Sequence, residues 1–157
     1  MKYKAQWSEI NSIRITKLFI ILVLMASVVM CILGPKITEY IMLRTSPLLQ
    51  GETRFWVILI GGYLCAVVLF IFLIMMYALI LRIEAGEVFT EKNVRALHNI
   101  SLLVLIACIM TIVIGLTCCY AILVISATAA FVVPVIRVIK NAFGKAVEMK
   151  QELDLTV

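Results

Sequence analysis

Residues 82–101 read RIEAGEVFTEKNVRALHNIS, the only long polar break between two strongly apolar halves of the chain. Gly86 follows a long helical run and suits the left-handed position just past a helix C-terminus, where lacking a Cβ removes the steric cost. Thr90 suits the N-cap of a following helix, and Glu91 in its first turn faces the positive helix end. Phe89 and Val94 stand at the spacing of a hydrophobic staple. Asn93 occupies the place that a complete capping box gives to Glu or Gln. The stretch therefore predicts a helix, a stop, a four-residue turn and a new helix. Its plain reading is a capped hairpin between two membrane spans; its functional reading is a docking surface built on the same residues.

Composition places the flanking halves in a membrane. The chain has 157 residues, 64% of them hydrophobic, with a mean hydropathy of +1.15, whereas a soluble domain is nearer half apolar. The net charge of +5 does not point to nucleic acid. The basic residues flank apolar runs instead of forming a stripe interleaved with aromatics, which suits anchoring against anionic lipid, and no direct nucleic-acid binding is expected.

Upstream of the break, a first span is predicted over 18–33, ended by Gly34-Pro35. In the loop 34–54, Ile37, Tyr40, Ile41 and Arg44 follow helical spacing and predict a short interfacial helix, with a turn at Ser46-Pro47. A second span over 55–81 exceeds the ~20 residues needed to cross ~30 Å of hydrocarbon. Within it, Gly61-Gly62 permits close approach of a neighbouring helix. Downstream, the run from Ile100 to Ile139 carries no charge before Arg137. It is too long for one crossing and predicts spans at 100–118 and 121–139, joined by a tight turn near Cys118 to Tyr120. Ser126 to Ala130 is a run of small residues suited to intimate helix packing, and Pro134 should kink its helix. Beyond Arg137, an amphipathic helix with Phe143, Ala146, Met149 and Leu153 on one face is expected along the inner membrane surface. The fold expected is all-α: a single domain over 1–157, an integral membrane bundle of four transmembrane helices with a cytoplasmic amphipathic C-terminal helix.

Charge sets the orientation. Eleven of the fourteen Lys and Arg lie before the first span, in the central break or at the C-terminus, and three in the loop 34–54. The positive-inside rule then predicts 82–99 and both termini in the cytoplasm and 34–54 outside.

No catalytic constellation appears. The central parts of the spans hold no ionisable residue of the kind a transport or proton path retains, and no metal-protease motif occurs. His98, the single histidine, reads as an interfacial side chain. Ser27, Thr111, Ser126 and Thr128 read as bonded to their own helix backbone. Cys31, Cys65, Cys108, Cys118 and Cys119 lie in or beside apolar segments without CxxC spacing, which predicts buried thiols and no structural disulfide. A redox or metal site at Cys118-Cys119 would lack a nearby His or carboxylate. No enzyme activity, catalytic residue, cofactor or metal is expected.

At the break and the C-terminus together the sequence resembles a bacterial family, domain of unknown function twenty-nine seventy-five, of small four-span membrane proteins. The first matching motif is Ile83, Gly86, Phe89, Asn93, Leu97 and Ile100. The second is Asn141, Phe143, Ala146, Glu148, Glu152, Asp154, Leu155 and Thr156. The family tail is commonly Glu-Asn-Asp-Leu-Thr before an aliphatic residue, and Leu153 departs from it. The resemblance implies a four-helix membrane fold and, often, a neighbouring gene for a small helix-turn-helix regulator; it implies no activity. The expected function is an uncharacterised multi-pass protein of the bacterial plasma membrane. It would bind a partner or regulate through a cytoplasmic surface of Gly86, Phe89, Asn93, Leu97, Phe143, Glu148, Glu152, Asp154, Leu155 and Thr156. Alternatives are an immunity or envelope-stress protein engaging an extracellular peptide or lipid, and a small transporter or oligomeric channel. Besides the lipid bilayer, the partner classes open are such a regulator and a second copy of the chain.

Overall fold

A computed structural model describes the backbone of residues 2–155 except 47, and the side chains of residues 11–153 except 47. Pro47 and Thr156 therefore lie outside the described residues, as do the side chains of Asp154 and Leu155. The described chain is helical throughout: α1 (Lys2–Ile32), α2 (Gly34–Met42), α3 (Gly51–Glu84), α4 (Glu91–Thr117) and α5 (Ile122–Leu155). Four of these, all but α2, are long and apolar enough to cross a membrane. The apolar runs read from sequence are the middles of longer helices. Hydropathy marks where a helix meets hydrocarbon, but the flanking polar residues contain nothing that stops a helix before Gly86 or the turn after Thr117. The 34 residues of α3 extend about 51 Å at 1.5 Å each, well beyond the hydrocarbon.

The pattern of burial is that of a bundle solvated by lipid. Each long helix buries one narrow stripe, and the rest of its surface is large and apolar: Leu18, Phe19, Leu22 and Met25 on α1, Val124, Phe131 and Val138 on α5 are all exposed. In water such a surface would be an aggregation liability; in hydrocarbon it is the expected exterior. On α1 the buried or half-buried residues include Ile13, Lys17, Ile20, Leu24, Ser27 and Cys31, alternating steps of four and three. On α5 the buried or half-buried residues include Ser126, Ala129, Val133, Ile136, Lys140, Phe143 and Val147, with the same alternation. This is the a/d spacing of helices packed at a shallow angle.

Packing runs in a row, α1 on α3, α3 on α4 and α4 on α5, with α4 and α5 the most extensively packed pair. Glycine and small residues allow that closeness. A Cβ at Gly115 would stand 2.6 Å from Leu123 Cδ2, and one at Gly61 would stand 2.6 Å from Ile114 Cδ1. Cys108 Sγ donates to the Ser126 carbonyl at 3.4 Å. Cys118 is fully buried, and all five cysteines are free thiols. The turn between α4 and α5 falls at residues 118–121, as the sequence predicts.

The separate amphipathic C-terminal helix is not formed. Residues 137–155 continue α5 as one apolar helix, with Pro134 inside it. The single Gly144 does not interrupt the helix, and Phe143 and Val147 continue the buried stripe of α5 instead of starting a new face. Met149 and Leu153, expected on the apolar side, are exposed.

The two ends of the bundle differ. At one, Lys17 of α1 pairs with Glu84 of α3 and the turn 85–90 joins α3 to α4. At the other, the Leu48 and Leu49 amides donate to the Thr117 carbonyl at 3.3 and 3.1 Å, joined by the Ser46 hydroxyl at 3.4 Å. Here α2 is the short helix expected in the first loop. Its C-terminus is held by Arg54, which is only 4% exposed. Arg54 Nη1 donates to the Arg44 carbonyl at 2.8 Å and Nη2 to the Ile41 carbonyl at 3.2 Å. One planar fork thus spans two carbonyls at the end of α2, that of Arg44 and that of Ile41, which also accepts the Arg44 amide.

Candidate functional site

The surface expected from sequence lies at the end bearing the turn 85–90. That turn is a complete Schellman motif. Gly86 adopts φ +83°, its amide donates to the Ile83 carbonyl, and the Glu87 amide reaches back to the Arg82 carbonyl, both at 3.0 Å. The two bonds satisfy carbonyls left over where α3 stops.

Thr90 has the extended backbone of an N-cap (φ −131°, ψ 148°) but makes no side-chain capping bond. Its hydroxyl is buried without a partner, and the Thr90 carbonyl accepts the Asn93 and Val94 amides at 3.0 and 3.2 Å. The side chain that closes the turn is Asn93, which is 0% exposed. Its amide nitrogen donates to the Glu87 and Val88 carbonyls at 2.5 and 2.9 Å. Its oxygen accepts from Arg82 Nη1 at 3.3 Å. Sequence reasoning saw Asn93 as a flawed capping box and gave Arg82 no role. An Asn three residues after a Thr N-cap, eleven after an Arg, was the available signal.

Phe89 projects from this pinned turn and is 46% exposed. Its ring lies 5.6 Å from that of Phe143 on α5, inclined at 53°, within the range of favourable aromatic pairs. Phe143 also packs against the buried cluster of Leu79, Ala96, Leu97 and Ile100. One turn beyond Val147, Gln151 Nε2 donates to Glu91 Oε1 at 3.3 Å. The turn and the end of α5 are thus brought together by an aromatic pair, an apolar stripe and the Gln151–Glu91 hydrogen bond. Glu148 is exposed and makes no ion pair among the described residues.

Of the residues expected to form the site, Asn93 and Leu97 are buried beneath it, and Phe143 is half-buried. Gly86, Phe89, Glu148 and Glu152 are exposed. What the surface offers is a partly exposed aromatic on a rigid support, with the exposed Glu87, Lys92 and Arg95 close to it in sequence. Among the described residues no three His, Cys, Asp or Glu converge to hold a metal.

A family model described as "Protein of unknown function (DUF2975)" matches residues 9–157. No curated protein and no solved structure matches the chain.

Proposed function

The chain belongs to the DUF2975 family, and from that premise we propose that it is a non-enzymatic regulatory protein of the bacterial plasma membrane that binds a protein partner through its turn end. The observation that carries this reading is the Phe89–Phe143 pair. An aromatic left half-exposed on a turn locked by Asn93 is pre-ordered, so a partner that buries it need not first order the loop. The mixed charges around it suit a polar rim about an apolar anchor.

Orientation follows from charge. Eleven of fourteen Lys and Arg belong to the N-terminal segment, the residues 82–99 and the C-terminal segment, which favours a cytoplasmic placement of that end and both termini. Reporter fusions after Asn99 and after Val157 should read inside, and an insertion within 36–53 outside. An outside signal at Val157 would overturn the orientation.

The partner class that best suits a cytoplasmic docking surface is a small helix-turn-helix regulator encoded beside this gene. Co-expressed and purified in mild detergent, the two proteins should co-elute. Phe89→Glu should reduce recovery at least about tenfold, as expected on losing an aromatic anchor contributing about 1.5–3 kcal/mol. Undiminished recovery with Phe89→Glu, while the variant melts as wild type does, would sink the proposed surface.

A further inference from the structure

At the opposite end the bundle holds an apolar groove of about 570 Å³, lined by residues of all five helices. Because α1 packs on α3 and α2, and α5 packs on α4 alone, the walls supplied by α1 and α5 do not meet. Both helices nonetheless line the groove, and α2 contributes Ile37, Thr38 and Ile41 to it.

We propose that this groove holds one acyl chain of a bilayer lipid, drawn from the leaflet on the α2 side. Three observations argue for that occupant. The first is chemical. The hydroxyls lining the groove already donate to backbone carbonyls: Ser27 to Leu24 at 2.8 Å, Thr38 to Gly34 at 2.9 Å, Tyr63 to Cys31 at 3.1 Å and Thr111 to Ala107 at 2.9 Å. No hydroxyl donor is left to hold a polar ligand, so the occupant is hydrocarbon. The second is length. On α3 the lining runs from Ile58 to Leu69, about 16 Å at 1.5 Å per residue, roughly half of the ~30 Å hydrocarbon thickness. The groove therefore reaches from α2 to mid-membrane, the depth of one leaflet. The third is the lining itself: Val23, Ile58, Leu69, Ile114, Ile122 and Ile125 present hydrocarbon to the groove, which a chain of methylenes matches.

Gly62 offers the test. It lines the groove, and a Cβ built there meets no atom within 4 Å. Gly62→Leu therefore starts from open space at its Cβ and adds bulk to the groove, and Ala66→Phe adds bulk from the next turn should the first variant fail to fold. Gly144, on α5 at the turn end, also meets nothing within 4 Å, so Gly144→Leu is the control for adding a side chain elsewhere. Each protein is reconstituted in vesicles of phosphatidylethanolamine and phosphatidylglycerol, extracted in mild detergent and weighed by native mass spectrometry. Wild type and Gly144→Leu should each retain one lipid per chain, and the filled variants should retain at least fivefold less. Phe89→Glu should leave lipid retention unchanged, which separates this site from the docking surface. Equal retention in wild type and the filled variants would overturn the proposal. So would a lipid-free wild type, or a wild-type dimer that Gly62→Leu dissociates.

Discussion

Replacing Arg54 by alanine should destabilise the protein by about 2–4 kcal/mol in detergent, measured by equilibrium unfolding. The side chain is almost wholly buried, and its two closer hydrogen bonds run to the Arg44 and Ile41 carbonyls at 2.8 and 3.2 Å. Hydrogen bonds from a charged donor contribute roughly 1.5–3 kcal/mol each, and buried carbonyls left bare cost about 1–3 kcal/mol each. The gain from no longer burying a guanidinium offsets part of that sum. Arg54→Met keeps much of the volume and should lose nearly as much as alanine, because the bonds and not the packing are at stake. Arg54→Lys should recover part of the loss, since one ammonium can serve one of the two carbonyls at good geometry but cannot span both. Hydrogen exchange should quicken at Leu43 and Arg44, whose amides close the end of α2 on the Tyr40 and Ile41 carbonyls. Full stability in Arg54→Ala would show that α2 is held by its apolar face alone.

Asn93→Ala should cost about 1–3 kcal/mol, the usual penalty for stranding polar groups beneath a surface. It removes both donors from the Glu87 and Val88 carbonyls and an acceptor from Arg82. Asn93→Asp is the sharper comparison. The side chain keeps its size and its acceptor towards Arg82, but the ionised carboxylate sets oxygen against the two turn carbonyls. At neutral pH it should be no more stable than Asn93→Ala. Stability near wild type in Asn93→Asp would mean that the Arg82 contact, not the pair of donated bonds, holds the turn. Because Phe89 rides on this turn, both variants should also weaken partner recovery, by loosening the support rather than removing the anchor.

Much of the architecture was legible because it is periodic or local. Gly86 announced the end of α3 through its conformational freedom. The run from Ile100 to Ile139, without charge before Arg137, announced two crossings because that much apolar length exceeds one hydrocarbon thickness. The end of α5 differs from the sequence expectation because residues 137–155 contain enough charge to look amphipathic. Whether a helix leaves the bundle depends on what its apolar residues meet: Phe143 meets the buried cluster of α3 and α4, and Val147 is buried.

By itself, the sequence determined that this is a helical membrane protein of a recognisable family with four helices long and apolar enough to cross a bilayer, where its turns fall, and where its basic residues gather. Hydrophobic length, glycine geometry and charge are properties of consecutive residues, so a linear reading reaches them. Only the tertiary structure decided that Arg54 holds α2, that Asn93 locks the turn with Arg82, that Phe89 meets Phe143, and that all five helices line one groove. Those contacts join residues up to some fifty positions apart, or more in the case of the groove walls. Their partners are selected by which faces the packed helices bring together, and that selection is made only when the whole bundle assembles.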